Sequence, residues 1–336
     1  MLGTRTEFVR SVGSFDELTD DFDVILTNLL LTGLFLILIF LTAEIFNQTI
    51  RDNQGDVESW MRNFFGPVIG IWGGLSAAMG AATLHNEKLK SLLWLGIVLV
   101  ITVLIEGFLE PGFGFNKESI LLFLSLLVAV GLVTYLTEGG EAFVARGMGQ
   151  DAAVRVFPAA IGIALICVIM SRLGGFIPGI LYGFVGTAVF LRPSTLNQDQ
   201  TGKMIFFPMA LMLGLSVGAW LLVDQFRGPD ASDFDIFIEG ILIGIFIATI
   251  EGVAINMLPI AYMDGRKLID WNPLVWFATA GVALFLLWTV LLNDQREYFD
   301  SLQETTSLVA IIAVVFTFGL SVVTWLWFRY RPGGHA

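Results

Sequence analysis

Long apolar runs joined by short polar links dominate the chain. They cover residues 24–46, 66–83, 92–109, 120–136, 156–170, 176–191, 204–223, 236–258, 274–292 and 308–328. Runs of about 15–23 apolar residues are the pattern of helices that cross the hydrocarbon core of a bilayer. The pattern predicts an all-α, polytopic transmembrane helix bundle of about ten spans. The fifth and sixth runs are short, and read as a re-entrant hairpin they leave eight full spans without changing parity. Before the first run, Ser14-Phe-Asp-Glu17 reads as a capping box, which predicts a short amphipathic surface helix within a polar, acidic segment, 1–23. The first run is too long for a signal-peptide core, so no cleavable signal is expected. A single transmembrane domain, 24–328, and a short tail, 329–336, complete the expected organisation.

Composition narrows the function classes. Hydrophobic residues make up 56% of the chain and charged residues 14%, which excludes a soluble enzyme or a disordered scaffold. A net charge of −12 argues against a nucleic-acid partner, which calls for Lys and Arg. One cysteine, Cys167, and two histidines, His85 and His335, exclude a disulfide framework and a His-based metal triad. Basic residues set the expected orientation. With the N-terminus inside, Arg5, Arg10, Lys88, Lys90, Arg146, Arg155, Arg192, Lys203, Arg266, Lys267, Arg329 and Arg331 fall on one side. Arg51, Arg62, Lys117, Arg172, Arg227 and Arg296 fall on the other. Both termini are therefore expected in the cytoplasm. Trp94, Trp220, Trp276, Trp288, Trp325 and Trp327 lie near run ends, as interface anchors would.

Two runs carry small residues every fourth position: Gly66, Gly70, Gly74, Ala78 and Ala82, and Gly240, Gly244, Ala248, Gly252 and Asn256. Such stripes let helices approach closely, within one chain or across an oligomer seam. Acidic groups within the runs or near their ends include Glu44, Glu106, Glu138, Glu141 and Glu251, with Asp264 just beyond the eighth run. Such groups are costly in lipid and are functional candidates by default. For Glu44, Glu106 and Glu251, snorkelling or packing against a hydroxyl is the structural alternative. Thr134, Glu138, Glu141 and Ala145 would share one helical face, and the two adjacent carboxylates need a shared proton, a cation, or an arginine such as Arg146 or Arg266. Pro259 interrupts the eighth run, which is tolerated at membrane depth only where the freed backbone is buried in protein or lines a cavity.

The segment Asn256-x-x-Pro259-x-x-x-x-Asp264-Gly265 resembles the Asn-Leu-Leu-Pro-Ile-x-x-Leu-Asp-Gly signature of site-2 protease-type intramembrane zinc metalloproteases. Thr137-Glu138-Gly-Gly-Glu141-Ala142-Phe-Val-Ala145-Arg146 looks like the partner signature, His-Glu-x-x-His-Ala-x-x-Ala-Arg, with both histidines replaced. The resemblance implies a family-like core at about 120–270. In it Asp264 stands at the third zinc-ligand position, Glu138 at the general-base position, and Thr137 and Glu141 where the ligand histidines would be. More weakly, Ile255-Asn-Met-Leu-Pro259 and the Phe176-Ile-Pro178-Gly179-Ile-Leu-Tyr182-Gly183 hairpin are similar to uncharacterised bacterial multi-spanning proteins named for an FGLLP motif. The expected location is the bacterial cytoplasmic (inner) membrane.

The lost histidines decide the expected chemistry. Zinc wants imidazole or thiolate ligands, so no catalytic residue, metal or cofactor is expected. If Glu138, Glu141 and Asp264 converge, an all-oxygen set suits a hard divalent cation, with Glu141 and Asp264 as its ligands. The favoured reading is an inactive relative of these proteases that binds a transmembrane helix or another membrane-protein partner through a polar cleft lined by Thr137, Glu138, Glu141, Asn256 and Asp264. Clues are the Pro259 break and the small residues at Gly179-x-x-x-Gly183 and along 240–256. The alternatives are an ion or proton pathway along Glu106, Glu138, Glu141, Glu251 and Asp264, and an active protease with carboxylate ligands.

Overall fold

The computed structural model describes residues 5–18, 20–56, 59, 87–175, 178–261, 263–291, 319, 321–327 and 330. The second apolar run with its Gly66 stripe, His85, most of the tenth run and the C-terminal tail lie outside the described residues. The elements are α1 (Glu7–Arg10), a 3-10 turn at Phe15–Glu17, α2 (Phe22–Asp52), α3 (Glu87–Gly107) and α4 (Lys117–Gly147). Then follow β1 (Ala152–Val156), α5 (Ala159–Gly174), β2 (Gly186–Phe190), α6 (Gln198–Leu222) and α7 (Asp233–Asn256). The last are α8 (Asp264–Trp271) and α9 (Pro273–Leu286), which continues as a π-turn at Leu287–Leu291. Among the described residues, α2, α3, α4, α6, α7 and α9 are long and apolar enough to cross a membrane. The chain is an all-α polytopic bundle with one small sheet.

Helix starts follow local chemistry. Asn116 accepts the Ser119 N–H at 2.7 Å, and Asn197 with Gln200 and Ser232 with Asp235 form capping boxes. At α9 Asn272 caps and Pro273 takes the first position, where its missing donor is harmless.

The core is the seam between α4 and α7, which run parallel. A Cβ on Gly240 or Gly244 would collide with Ser125 or Ala129, and the Ser125 hydroxyl donates to the Phe237 carbonyl at 2.9 Å. The Gly240 stripe is thus used for packing within the chain. Its helix is the most buried span, at 67%, against 17% for α2.

The fifth and sixth runs depart from two full helices. The fifth is a 16-residue helix, α5, and the sixth is not helical: residues 178–185 form neither helix nor strand and lead into β2. Gly175 and Gly179 turn the chain with φ of +67° and +94°. β2 pairs antiparallel with β1, from Ala152↔Phe190 to Val156↔Gly186, and the Leu191 N–H donates to the Asp151 carbonyl at 2.7 Å. The segment therefore leaves and returns at one end of the bundle, as a re-entrant hairpin does. The sixth run holds Pro178, Gly179, Gly183 and Gly186, four residues that disfavour a helix, and apolar character alone could not reveal it.

The N-terminal segment is docked rather than laid on a surface. Ser14 does form its capping turn, its N–H meeting Glu17 Oε2 at 2.9 Å. But Phe8, Val9 and Val12 are buried, the Phe8 N–H donates to Glu110, and Trp220 Nε1 donates to the Gly13 carbonyl. Arg5 and Arg227 both bind Glu239, which has no exposed side-chain surface, at 2.6 and 2.8 Å. These contacts put residues 5–13 at the end of the bundle opposite Asp264. Helix α2 then runs the other way from the expected sidedness, because Glu44 near its C-terminus binds both Arg51 and Arg266. Arg51 thus shares the Asp264 end, and Arg5 and Arg10 share the Arg227 end. The tryptophans also differ: Trp94, Trp220, Trp276 and Trp288 are buried in protein, and only Trp325 and Trp327 are exposed.

With Cys167 replaced by serine, an Arg10→Cys variant and an Arg51→Cys variant are expected to react with an impermeant maleimide from opposite sides of sealed vesicles. Labelling of both from one side would contradict this topology.

Candidate functional site

Glu106, Glu138 and Glu251 are grouped around the return of the hairpin. Backbone at membrane depth that is neither helix nor closed sheet leaves its N–H groups without partners, and the protein must supply them. Glu251 of α7 accepts the Leu181 N–H at 2.6 Å, and Glu106 of α3 accepts the Tyr182 N–H at 3.0 Å. Thr134 of α4 donates to the Gly183 carbonyl at 3.1 Å and accepts from the Val185 N–H at 3.2 Å. One turn on, Glu138 accepts the Ala188 N–H at 2.7 Å. Close approach completes the fit, since Gly183 lies against Ala248 and Gly252 against the Phe184 ring. Snorkelling and hydroxyl contacts therefore do not account for Glu106 or Glu251; both bind main chain. Gly179 and Gly183 serve a turn and a close contact, not a helix-packing stripe.

The first sequence window lies on the buried face of α4, and the second ends α7 and opens α8. Thr134, Glu138, Glu141 and Ala145 do share the buried face of α4. Glu141 is 6% exposed, accepts no hydrogen bond from any described residue, and lies within electrostatic range of Asp264, Glu138 and Lys267. Asp264 opens α8 and binds Lys267 Nζ, one turn on, at 2.7 Å. Tyr182 lies within range of both Glu138 and Asp264. Burial works against the charged form of Lys267, yet Asp264, then Glu141 and Glu138, raise its pKa, so it stays an ammonium. Neither arginine expected to hold the acids does so: Arg146 turns back to the Ala142 carbonyl, and Arg266 binds Glu44 and Asp270. Thr137 spends its hydroxyl on the Val133 carbonyl of its own helix. Asn256 ends α7 and is half-buried.

The Pro259 break is buried, and its freed groups have partners. Asn47 of α2 donates to the Pro259 carbonyl at 2.7 Å and accepts from the Ala261 N–H at 2.6 Å. Trp276 Nε1 donates to the Met257 carbonyl at 2.7 Å. Gly265 packs on that same carbonyl, where no Cβ would fit. Asn47, Tyr182 and Lys267 were not singled out from sequence. Lys267 carried a signal, the i, i+3 spacing from Asp264; Asn47 carried a weaker one, as an amide at the end of an apolar run.

The donor set does not fit zinc. Among the described residues, no three His, Cys, Asp or Glu side chains are placed to hold a metal ion. Glu138 Oε2 is taken by a backbone N–H and Asp264 Oδ1 by an ammonium.

No family model and no solved structure matches the chain. A protein of Methanocaldococcus jannaschii with the provisional name zinc metalloprotease is 29% identical over 188 residues, spanning 56% of this chain and 89% of its own. This distant homology supports a site-2 protease-like relationship. The chain is a multi-pass membrane protein with a protease-like relative.

Replacing Glu251 by Leu leaves the Leu181 N–H buried without an acceptor and is expected to cost about 1–3 kcal/mol, read as a lower unfolding midpoint in detergent. Glu251→Gln keeps an acceptor oxygen and is expected to lose much less. Equal losses for both would contradict the backbone role.

Proposed function

We propose that this chain is a catalytically inactive site-2 protease-like membrane protein that binds a transmembrane helix or another membrane partner through the cleft of Glu138, Glu141, Asn256 and Asp264. The observation that carries this reading is the ion pair at Asp264. The residue at the family's third-ligand position is held by Lys267 at 2.7 Å, while the general-base position, Glu138, is held by backbone at 2.7 Å. A carboxylate without metal-activated water contributes little to peptide hydrolysis. The Asp264 end of the bundle carries Arg51, Arg146, Arg155, Arg192, Lys203, Arg266 and Lys267, and the other end Arg5, Arg10, Lys117, Arg172 and Arg227. That bias supports a cytoplasmic cleft in a bacterial inner membrane, with the docked N-terminal segment on the opposite face.

The transport reading is less well supported. It began from a row of unpartnered acids, and Glu106, Glu138 and Glu251 each hold a backbone N–H. What favours it still is the second oxygen of Glu106, buried with no partner among the described residues.

Purified protein is expected to hold no stoichiometric zinc and to leave transmembrane substrates uncut in detergent and in liposomes. One zinc per chain, with cleavage abolished by Glu138→Gln, would overturn the reading. Proton or cation flux abolished by Glu251→Gln would replace it with transport.

A further inference from the structure

The stretch between Asn256 and Asp264 links two residues of the proposed cleft, and it is held by a helix that precedes both sequence windows. Pro259 breaks the helical hydrogen bonding there, which leaves the Pro259 carbonyl and the Ala261 N–H without main-chain partners among the described residues. One side chain serves both. Asn47 of α2, 1% exposed, donates to the carbonyl at 2.7 Å and accepts from the N–H at 2.6 Å. One turn earlier on α2, Glu44 binds Arg266 of α8 at 2.6 Å. Beside them, Trp276 of α9 donates to the Met257 carbonyl and packs against Phe40 of α2.

Helix α2 is the least buried of the described spans, at 17% against 67% for α7. Leu30, Leu34, Ile37 and Leu41 are exposed along one side of it. Lipid tails are as apolar as leucine, so a helix with so little buried surface gains little from apolar contact, and polar contacts carry a large share of its docking. A carboxamide suits the break better than other polar side chains. It presents a donor and an acceptor on separate atoms, matching a carbonyl and an N–H two residues apart, and it brings no charge into the bilayer. A hydroxyl would have to do both from one atom, and a carboxylate or an ammonium would add a charge.

We propose that the Pro259 break is a dock for a transmembrane helix bearing a carboxamide, that α2 fills it through Asn47, and that a membrane partner reaches the cleft by taking the place of α2. The proposal rests on the partner-binding reading and deepens it, because it states what the partner must carry. The dock lies between Asn256 at the end of α7 and Asp264 at the start of α8, so whatever fills it also borders the cleft. Its present occupant has little buried surface to hold it there. The contacts are ones that a second helix can reproduce, one amide replacing another. A hydrogen-bonded pair between helices in lipid is worth about tenfold in association, enough to select a partner and little enough to exchange.

The test is residue-resolved amide hydrogen exchange of the full chain in lipid nanodiscs, with a synthetic peptide of residues 22–52 as the probe. Asn47→Leu should speed exchange at Ala261 by about tenfold or more and leave Leu181 as slow as in the parent. Asn47→Gln, which keeps the carboxamide, should retain part of the protection. Adding the peptide to the Asn47→Leu chain should restore slow exchange at Ala261, and the same peptide carrying Asn47→Leu should not. The parent, filled from within by a tethered helix, should bind the peptide at least about tenfold more weakly than the Asn47→Leu chain does. If Asn47→Leu does not fold, the Asn47→Gln chain carries the peptide comparison. Unchanged exchange at Ala261 in Asn47→Leu, an equal loss of protection at Leu181, or equal action of the two peptides overturns the proposal and leaves the inactive-protease reading standing. One zinc per chain with substrate cleavage overturns that reading without altering the exchange at Ala261, so the two fail separately.

Discussion

Extended backbone cannot sit at membrane depth unless the protein satisfies its polar groups, and this one requirement organises the molecule. The return of the hairpin, residues 178–190, passes between α3, α4 and α7 with its peptide groups facing their side chains. Each of those helices contributes a carboxyl, and α4 adds the Thr134 hydroxyl. The small residues of α7 then bring the helices close enough for the bonds to form. The same rule governs the Pro259 break, where an amide from α2 takes one donor and one acceptor. Acids that look like a proton path from the sequence are, in the fold, acceptors for main chain.

This division of labour leaves a narrow chemical core. Glu141 is the acid with no backbone to hold, and Asp264 is the acid with an ammonium.

Much of this was legible in the sequence. Apolar runs gave the bundle, because lipid demands long apolar helices whatever their partners. The two polar windows were visible because acids and a proline are conspicuous in such runs. What was hidden was pairing. No periodicity shows that Glu106 and Glu251 converge on consecutive N–H groups of a segment that looked like a span, nor that Lys267 pairs with Asp264 while Arg266 reaches Glu44 of α2. The sidedness of the N-terminal segment was misjudged because a charge count treats every loop as equal, whereas Arg5 and Arg227 were drawn to one buried carboxylate, Glu239.

The central claim, that buried acids serve the extended return segment, is tested most directly by residue-resolved amide hydrogen exchange in lipid nanodiscs. The amides of Leu181, Tyr182 and Ala188 should exchange as slowly as those in the middle of α7. Exchange at the rate of an exposed loop would show that no carboxyl holds them, and the account would fail.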